Sequence, residues 1–131
     1  MISKLTNEGF PMQSSLERNL NLADFVLNCS ICKIPTVAIK KENRGVTISS
    51  PLRRFYIKNS KAYLFLQKNN LKGLDEFLSK EHYDGLDFYC QDCNLIYCIN
   101  HSLVWPVFED DGWYDYTLMR CPKGHERIVD D

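Results

Sequence analysis

Two stretches of the chain space their apolar residues for helices, and several others space them for strands. In SSLERNLNLADFVLN, Leu16, Leu20, Ala23 and Leu27 fall along one helical face, and Ser14 and Glu17 are spaced as a capping box. A change to strand at ADFVLN is the alternative for its second half. In NLKGLDEFLSKEH, a helix starting from Asn70 would turn Leu71, Leu74, Phe77 and Leu78 inward, with Gly73 weakening its first turn. PTVAIKK and RGVTISS, separated by EN, and RRFYIKN and KAYLFLQK, joined around Asn59-Ser60, are rich in β-branched and aromatic residues and bounded by Asn, Gly and Ser. They predict a run of antiparallel strands. NLIY reads as a short strand, and LVWPVFE and WYDYTLMR as a hairpin around DDG, whose Asp-Gly step suits a tight turn. The expected class is α+β: small antiparallel sheets and hairpins with two short helices.

A length of 131 residues, 44% hydrophobic and 25% charged, fits one globular domain over residues 1–131 and excludes fibrous and disordered classes. No apolar run approaches the ~20 residues a bilayer crossing needs. The start, MISKLTNEGFPMQSSLERNLNL, lacks the apolar core of a signal peptide, so a cytoplasmic location is expected. Net charge is −1, but residues 1–83 carry 13 Lys/Arg against 7 Asp/Glu, and residues 84–131 carry 3 against 10.

The six cysteines carry the most specific chemical signal in the chain. With two histidines they form four pairs: Cys29 and Cys32 in CSIC, Cys90 and Cys93 in CQDC, Cys98 and His101 in CINH, Cys121 and His125 in CPKGH. A two-residue gap lets one tight turn aim both donors at a single ion, and zinc takes four N/S ligands tetrahedrally. In a reducing compartment such spacing argues for metal over disulfides. Eight donors make two closed structural Zn2+ sites; two imidazoles among them disfavour iron–sulfur. Spacing alone leaves the sharing open. In a sequential scheme the first two pairs hold one ion, as in a zinc ribbon, and the last two the other. In an interleaved, cross-brace-like scheme the first pair joins the third and the second joins the fourth. Either way the metals staple the N-terminal sheet to the C-terminal hairpin.

CQDCNLIYCINH, residues 90–101, resembles the central block of FYVE fingers and the spacing of B-box fingers, which implies interleaving. It lacks the basic His/Arg cluster that FYVE fingers place before their second pair, having HYDGLDFY instead, so lipid binding does not carry over. The wider succession of a Cys-x-x-Cys followed by IPTVAI, the YCxxH block, FEDDGWYDYT and CPKGHERIVDD is similar to small bacterial proteins with paired zinc-ligand motifs, a resemblance that implies zinc and no activity.

Catalysis is not expected. A catalytic zinc keeps an open position, and the chain shows no nucleophile elbow, phosphate-cradling loop or paired-carboxylate motif. His82, at the end of the second predicted helix, suits helix-end capping. No small-molecule substrate and no membrane contact are expected.

Two surfaces remain as candidates. The acidic aromatic hairpin, about residues 103–120, carries Trp113, Tyr114 and Tyr116 among Glu109, Asp110, Asp111 and Asp115. It would anchor a basic protein, with a toxin domain neutralised by an immunity protein as one concrete form. The basic hairpin region, about residues 36–68, interleaves Lys40, Lys41, Arg44, Arg53, Arg54, Lys58 and Lys61 with Phe55, Tyr56 and Tyr63. If those aromatics face solvent, it would suit a single strand of nucleic acid. The expected function is therefore non-enzymatic binding, to protein first and nucleic acid second.

Overall fold

The fold is that of a computed structural model, which describes residues 20–81 and 84–130. It is α+β, with two helices and three small antiparallel sheets among the described residues. Strands β1 (Phe25–Asn28), β2 (Pro35–Lys41), β3 (Val46–Ser49) and β4 (Arg54–Ile57) form the first sheet in chain order. Helices α1 (Lys61–Gln67) and α2 (Leu71–Lys80) follow. Strands β5 (Tyr89–Cys90) and β6 (Leu95–Ile96) make a short central ribbon, ending in a 3-10 turn at Ile99–His101. Strands β7 (Leu103–Phe108), β8 (Tyr114–Arg120) and β9 (Glu126–Asp130) close the chain as a third sheet.

Alternation along the first sheet decides its buried face. Ile39 pairs with Ile48 and Ile48 with Phe55, while Val46 pairs with Ile57, so these residues line one side. Against them pack Ala62 and Leu66 from α1, Leu74 and Leu78 from α2, and Leu86, Tyr89 and Ile96 from the central segment. Gly45 closes the β2–β3 turn because a Cβ there would sit 1.9 Å from the Ile57 carbonyl oxygen. A second, smaller cluster around Phe88, Met119 and Val129, with Leu52, Ile99 and Val104 packed on it, seats the third sheet.

Helix α2 follows its apolar spacing. Asn70 caps it by accepting from the Gly73 amide at 2.9 Å, and Leu74 and Leu78 are fully buried. The β7–β8 hairpin also stands where the pattern places it, the Trp113 carbonyl accepting from the Glu109 amide at 2.7 Å across its turn.

Two expectations are corrected, and one strand is added. KAYLFLQK is helix α1, not a strand paired with RRFYIKN. Period-two spacing would set Ala62, Leu64 and Leu66 on one face; instead Ala62 and Leu66, one helical turn apart, are buried and Leu64 is 52% exposed. The Asn59 side chain starts the turn by accepting from the Lys61 amide at 2.9 Å, and the Phe65 ring packs 5.6 Å from Phe77 of α2. The first predicted helix does not reach Leu27. Its last helical residue is Leu20, which packs with Ala38, Ala23 and Val26, and FVLN is β1. Leu16, Ser14 and Glu17 lie outside the described residues, as does His82. Finally, ERIVD is a strand, β9, that the sequence pattern does not signal. No helix among the described residues is long and apolar enough to cross a membrane.

Candidate metal centres

Four tight turns bring the eight candidate donors into two groups. The first turn follows β1: the Cys29 amide donates to the Ile34 carbonyl at 2.9 Å, and Lys33 takes a positive φ of 65°. This folds the turn so that the Ile31 amide lies 3.4 Å from the Cys29 sulfur. The third pair sits on the 3-10 turn after β6, where the His101 amide donates to the Cys98 carbonyl at 3.0 Å. The β5–β6 turn repeats the first geometry, with Asn94 at φ 55° and the Cys93 amide 3.4 Å from the Cys90 sulfur. The last pair sits in the β8–β9 turn, closed by the Cys121 amide donating to the His125 carbonyl at 2.9 Å. Amides aimed at sulfur favour the thiolate, the form that ligates a metal.

The sharing is interleaved. Cys29, Cys32, Cys98 and His101 form site 1, and Cys90, Cys93, Cys121 and His125 form site 2, with the donor atoms of each within 4.8 Å of one another. In site 1 the Cys32 and Cys98 sulfurs are 3.6 Å apart, and His101 Nδ1 lies 3.2 Å from Cys98 Sγ and 3.7 Å from Cys29 Sγ. In site 2 His125 Nδ1 is 3.4 Å from all three sulfurs, and Cys93 Sγ is 4.0 Å from Cys121 Sγ. A tetrahedral ion with metal–sulfur bonds of ~2.3 Å and a metal–nitrogen bond of ~2.0 Å requires edges of roughly 3.8 Å between sulfurs and roughly 3.5 Å between sulfur and nitrogen. Both groups have these dimensions. All six cysteines are free thiols, so the spacing is not that of disulfides.

The local electrostatics differ from sulfur to sulfur. Burial pushes the Cys98 thiol up to about 12 and the Cys90 thiol up to about 11. At Cys29 burial acts in the same direction, but hydrogen bonds from the backbone at Cys32, Cys98 and Ile31 outweigh it and bring the thiol down to about 6. Backbone bonds at His125 and Lys123 likewise overcome burial at Cys121 and bring it to about 7. The buried Tyr97 hydroxyl bonds the Cys93 sulfur, and that bond, followed by burial, raises its pKa.

Tyr97 was not among the residues that ligand spacing picked out, nor were two ion pairs built on buried carboxylates. Asp75 meets Arg127 at 2.8 Å and Asp87 meets Arg53 at 2.9 Å, both carboxylates being almost fully enclosed. One signal was available for the first pair. Asp75 lies four residues after Leu71 and three before Leu78, an acid on the apolar stripe of a helix.

The two candidate surfaces fare differently. Glu109, Asp110, Asp111, Trp113 and Tyr114 are exposed at the β7–β8 turn, while Asp115 and Tyr116 are half-buried along β8. The basic set does not form one face. Arg53 turns inward to Asp87 and covers the Phe55 ring at 4.8 Å. Tyr63 is on α1, its ring 5.2 Å from Phe25, and Phe55 packs on the core. Lys41, Arg44, Arg54, Tyr56, Lys58 and Lys61 are exposed, and Lys40 reaches Glu42 at 3.5 Å.

Residues 19–131 match the family described as Domain of unknown function (DUF8328), and the chain belongs to that family. No curated protein and no solved structure matches it. The likeness of residues 90–101 to FYVE and B-box fingers is therefore one of ligand spacing alone.

Proposed function

We propose that this chain is a non-catalytic binding protein in which two Cys3His centres hold structural Zn2+ and the β7–β8 hairpin docks a basic protein. Three thiolates and one imidazole at tetrahedral spacing suit zinc, and four protein ligands leave no position for substrate or activated water. The metals then serve as staples. Site 1 fastens the β1–β2 turn of the first sheet to the central ribbon, and site 2 fastens the ribbon to the β8–β9 turn.

The observation that carries the docking role is the hairpin tip. Trp113 is 72% exposed, Phe108 57% and Tyr114 45%, beside the exposed carboxylates Glu109, Asp110 and Asp111. Aromatic area left in water is worth ~25 cal/mol per Å2 once covered, and Trp and Tyr are the residues that dominate binding energies at interfaces. A ring of acids around them speeds encounter with a cationic surface and penalises an anionic one. A basic toxin domain held inactive by a cognate immunity protein is the form of partner that this small acidic wedge suits best. Support for the nucleic-acid reading is weaker, because Arg53, Phe55 and Tyr63 are engaged within the fold.

The test is affinity capture by the purified protein of the polypeptides encoded in adjoining reading frames, repeated with Trp113→Ala. Capture of a basic polypeptide by the wild type and its loss in the variant support the reading. Capture indifferent to Trp113, or salt-sensitive binding of generic single-stranded RNA instead, overturns it.

A further inference from the structure

The two centres have the same donors and the same alternation of buried and half-buried ligands, but the chain around them differs. At site 2 the two ligand pairs are tied together before any ion is considered. Arg127, two residues beyond His125, donates from Nη1 to the carbonyl of Tyr89, the residue before Cys90, at 2.9 Å. Its Nη2 donates to Asp75 at 2.8 Å and to the Asp84 carbonyl at 3.1 Å. Asp75, buried on α2, also accepts from the Leu86 amide at 2.7 Å and from Gln91, inside the Cys90–Cys93 turn, at 3.1 Å. Helix α2, the ribbon and β9 therefore meet on one carboxylate–guanidinium pair. Gly85 leaves it room, since a Cβ there would stand 2.2 Å from Arg127 Nη2 and 2.5 Å from Asp75 Oδ1.

Site 1 has no such clamp among the described residues. Its halves are joined by the Ser30 amide donating to the Ile96 carbonyl at 2.8 Å and by the backbone at Cys98 bonding the Cys29 sulfur, with no charged pair behind them. Beside its first ligand pair, two oxygens, Asn28 Oδ1 and Ser30 Oγ, are buried without a hydrogen-bond partner, where the clamp of site 2 leaves one such atom, Arg127 Nε. An unsatisfied buried oxygen favours any rearrangement that wets it, so the closed form of this turn is held less firmly.

We propose that Arg127 and Asp75 are the positioning pair of site 2, and that site 2 consequently holds its metal firmly while site 1 is the exchangeable centre. The inference rests on the structural-metal reading above. A pre-assembled ligand set loses less freedom on binding, and partners behind the ligands typically change metal affinity by about 10–100-fold. Loss of the site 1 ion would release the β1–β2 turn from the ribbon and leave the third sheet and its hairpin fastened.

The experiment follows the whole protein, loaded with two zinc ions, through stripping by EDTA while N-ethylmaleimide traps each cysteine as it is freed. Peptide mass spectrometry reads the modified positions over time. Cys29, Cys32 and Cys98 are expected to react first, with Cys90, Cys93 and Cys121 protected at least about tenfold longer. In Arg127→Met the protection of the second set is expected to fall by about 10–100-fold while the first set keeps its rate. A merely structural loss would move both sets together, and that result would overturn the positioning role. Gln91→Ala removes only one bond to Asp75, serving as the milder variant should Arg127→Met fail to fold; its second set should shift in the same direction. Equal release of both sets from the wild-type protein refutes this inference and leaves the metal reading standing. A preparation that folds without metal refutes both.

Discussion

The sulfurs of Cys32 and Cys98, 66 positions apart in the chain, lie 3.6 Å from each other. That contact decides how the donors are shared, because in a sequential arrangement these two residues would serve different ions. It makes pairs of substitutions diagnostic. Cys32→Ser and Cys98→Ser each remove a ligand of the same site, so the double variant is expected to retain one zinc per chain. Cys32→Ser combined with Cys93→Ser strikes both sites and is expected to retain none. Native mass spectrometry counts the ions; the opposite pattern would restore the sequential scheme.

Acid should strip the metals. Ligation needs thiolates, yet burial holds the metal-free Cys98 and Cys90 thiols near 12 and 11, so both are protonated at neutral pH and each must give up its proton to bind. The sign follows: protons compete with the ion, and affinity falls as pH falls. Calorimetric zinc titration at neutral pH in buffers of different ionisation enthalpy is expected to show net proton release at both sites. Binding without proton release would contradict the thiol states.

The Arg53–Asp87 pair gives a pH signature of its own. Burial raises the Asp87 carboxyl above its usual pKa even though Arg53 and Ser50 bond it. A group whose folded value is raised supports folding most when protonated, and that support is lost as pH rises through the folded value. Arg53→Met leaves the carboxylate enclosed without its partner, a loss of about 3–5 kcal/mol when it is charged. The cost is expected to be larger at pH 8 than at pH 5, each measured by denaturant unfolding against the wild type at the same pH. Asp87→Asn in the same background should remove most of that difference.

The candidate donors, the α2 stripe and the β7–β8 hairpin were legible in the sequence because each is set by spacing within a short window. Cys-x-x-Cys and Cys-x-x-His mark themselves, and Asn70 with Leu74 and Leu78 defines a helix over ten residues. Spacing left the sharing of pairs open, since it depends on where distant turns meet; the likeness of residues 90–101 to FYVE fingers pointed to interleaving, and the geometry agrees. KAYLFLQK misled because its apolar residues satisfy both periods, and packing of Ala62, Leu66 and Phe65 on the core and α2 broke the tie. In ERIVD, Glu126 is held by Arg120 across the β8–β9 turn and Arg127 by Asp75, 52 positions away, a partner that no local pattern announces.

Trp113 and Trp105 separate docking from stability. Trp105 sits half-buried on β7 with the Arg120 guanidinium 5.3 Å from its ring centroid, and Arg120 in turn pairs with Glu126 on β9. Trp113 stands 72% exposed at the turn. Removing an exposed ring costs the fold little, within about 0.5 kcal/mol for a surface position without special contacts, whereas at an interface the same truncation costs about 2 kcal/mol or more. Trp113→Ala is thus expected to leave the unfolding midpoint unchanged and to weaken a docked basic partner by roughly thirtyfold or more. Trp105→Ala should instead lower the unfolding midpoint by loosening the cross-strand stack. Fluorescence supplies the check on placement: the single-Trp variant Trp105→Phe should emit as a water-exposed indole, quenched readily by iodide, until the partner covers it. Emission already shielded in the isolated protein would mean that the hairpin tip is packed against the chain itself and is not the docking surface.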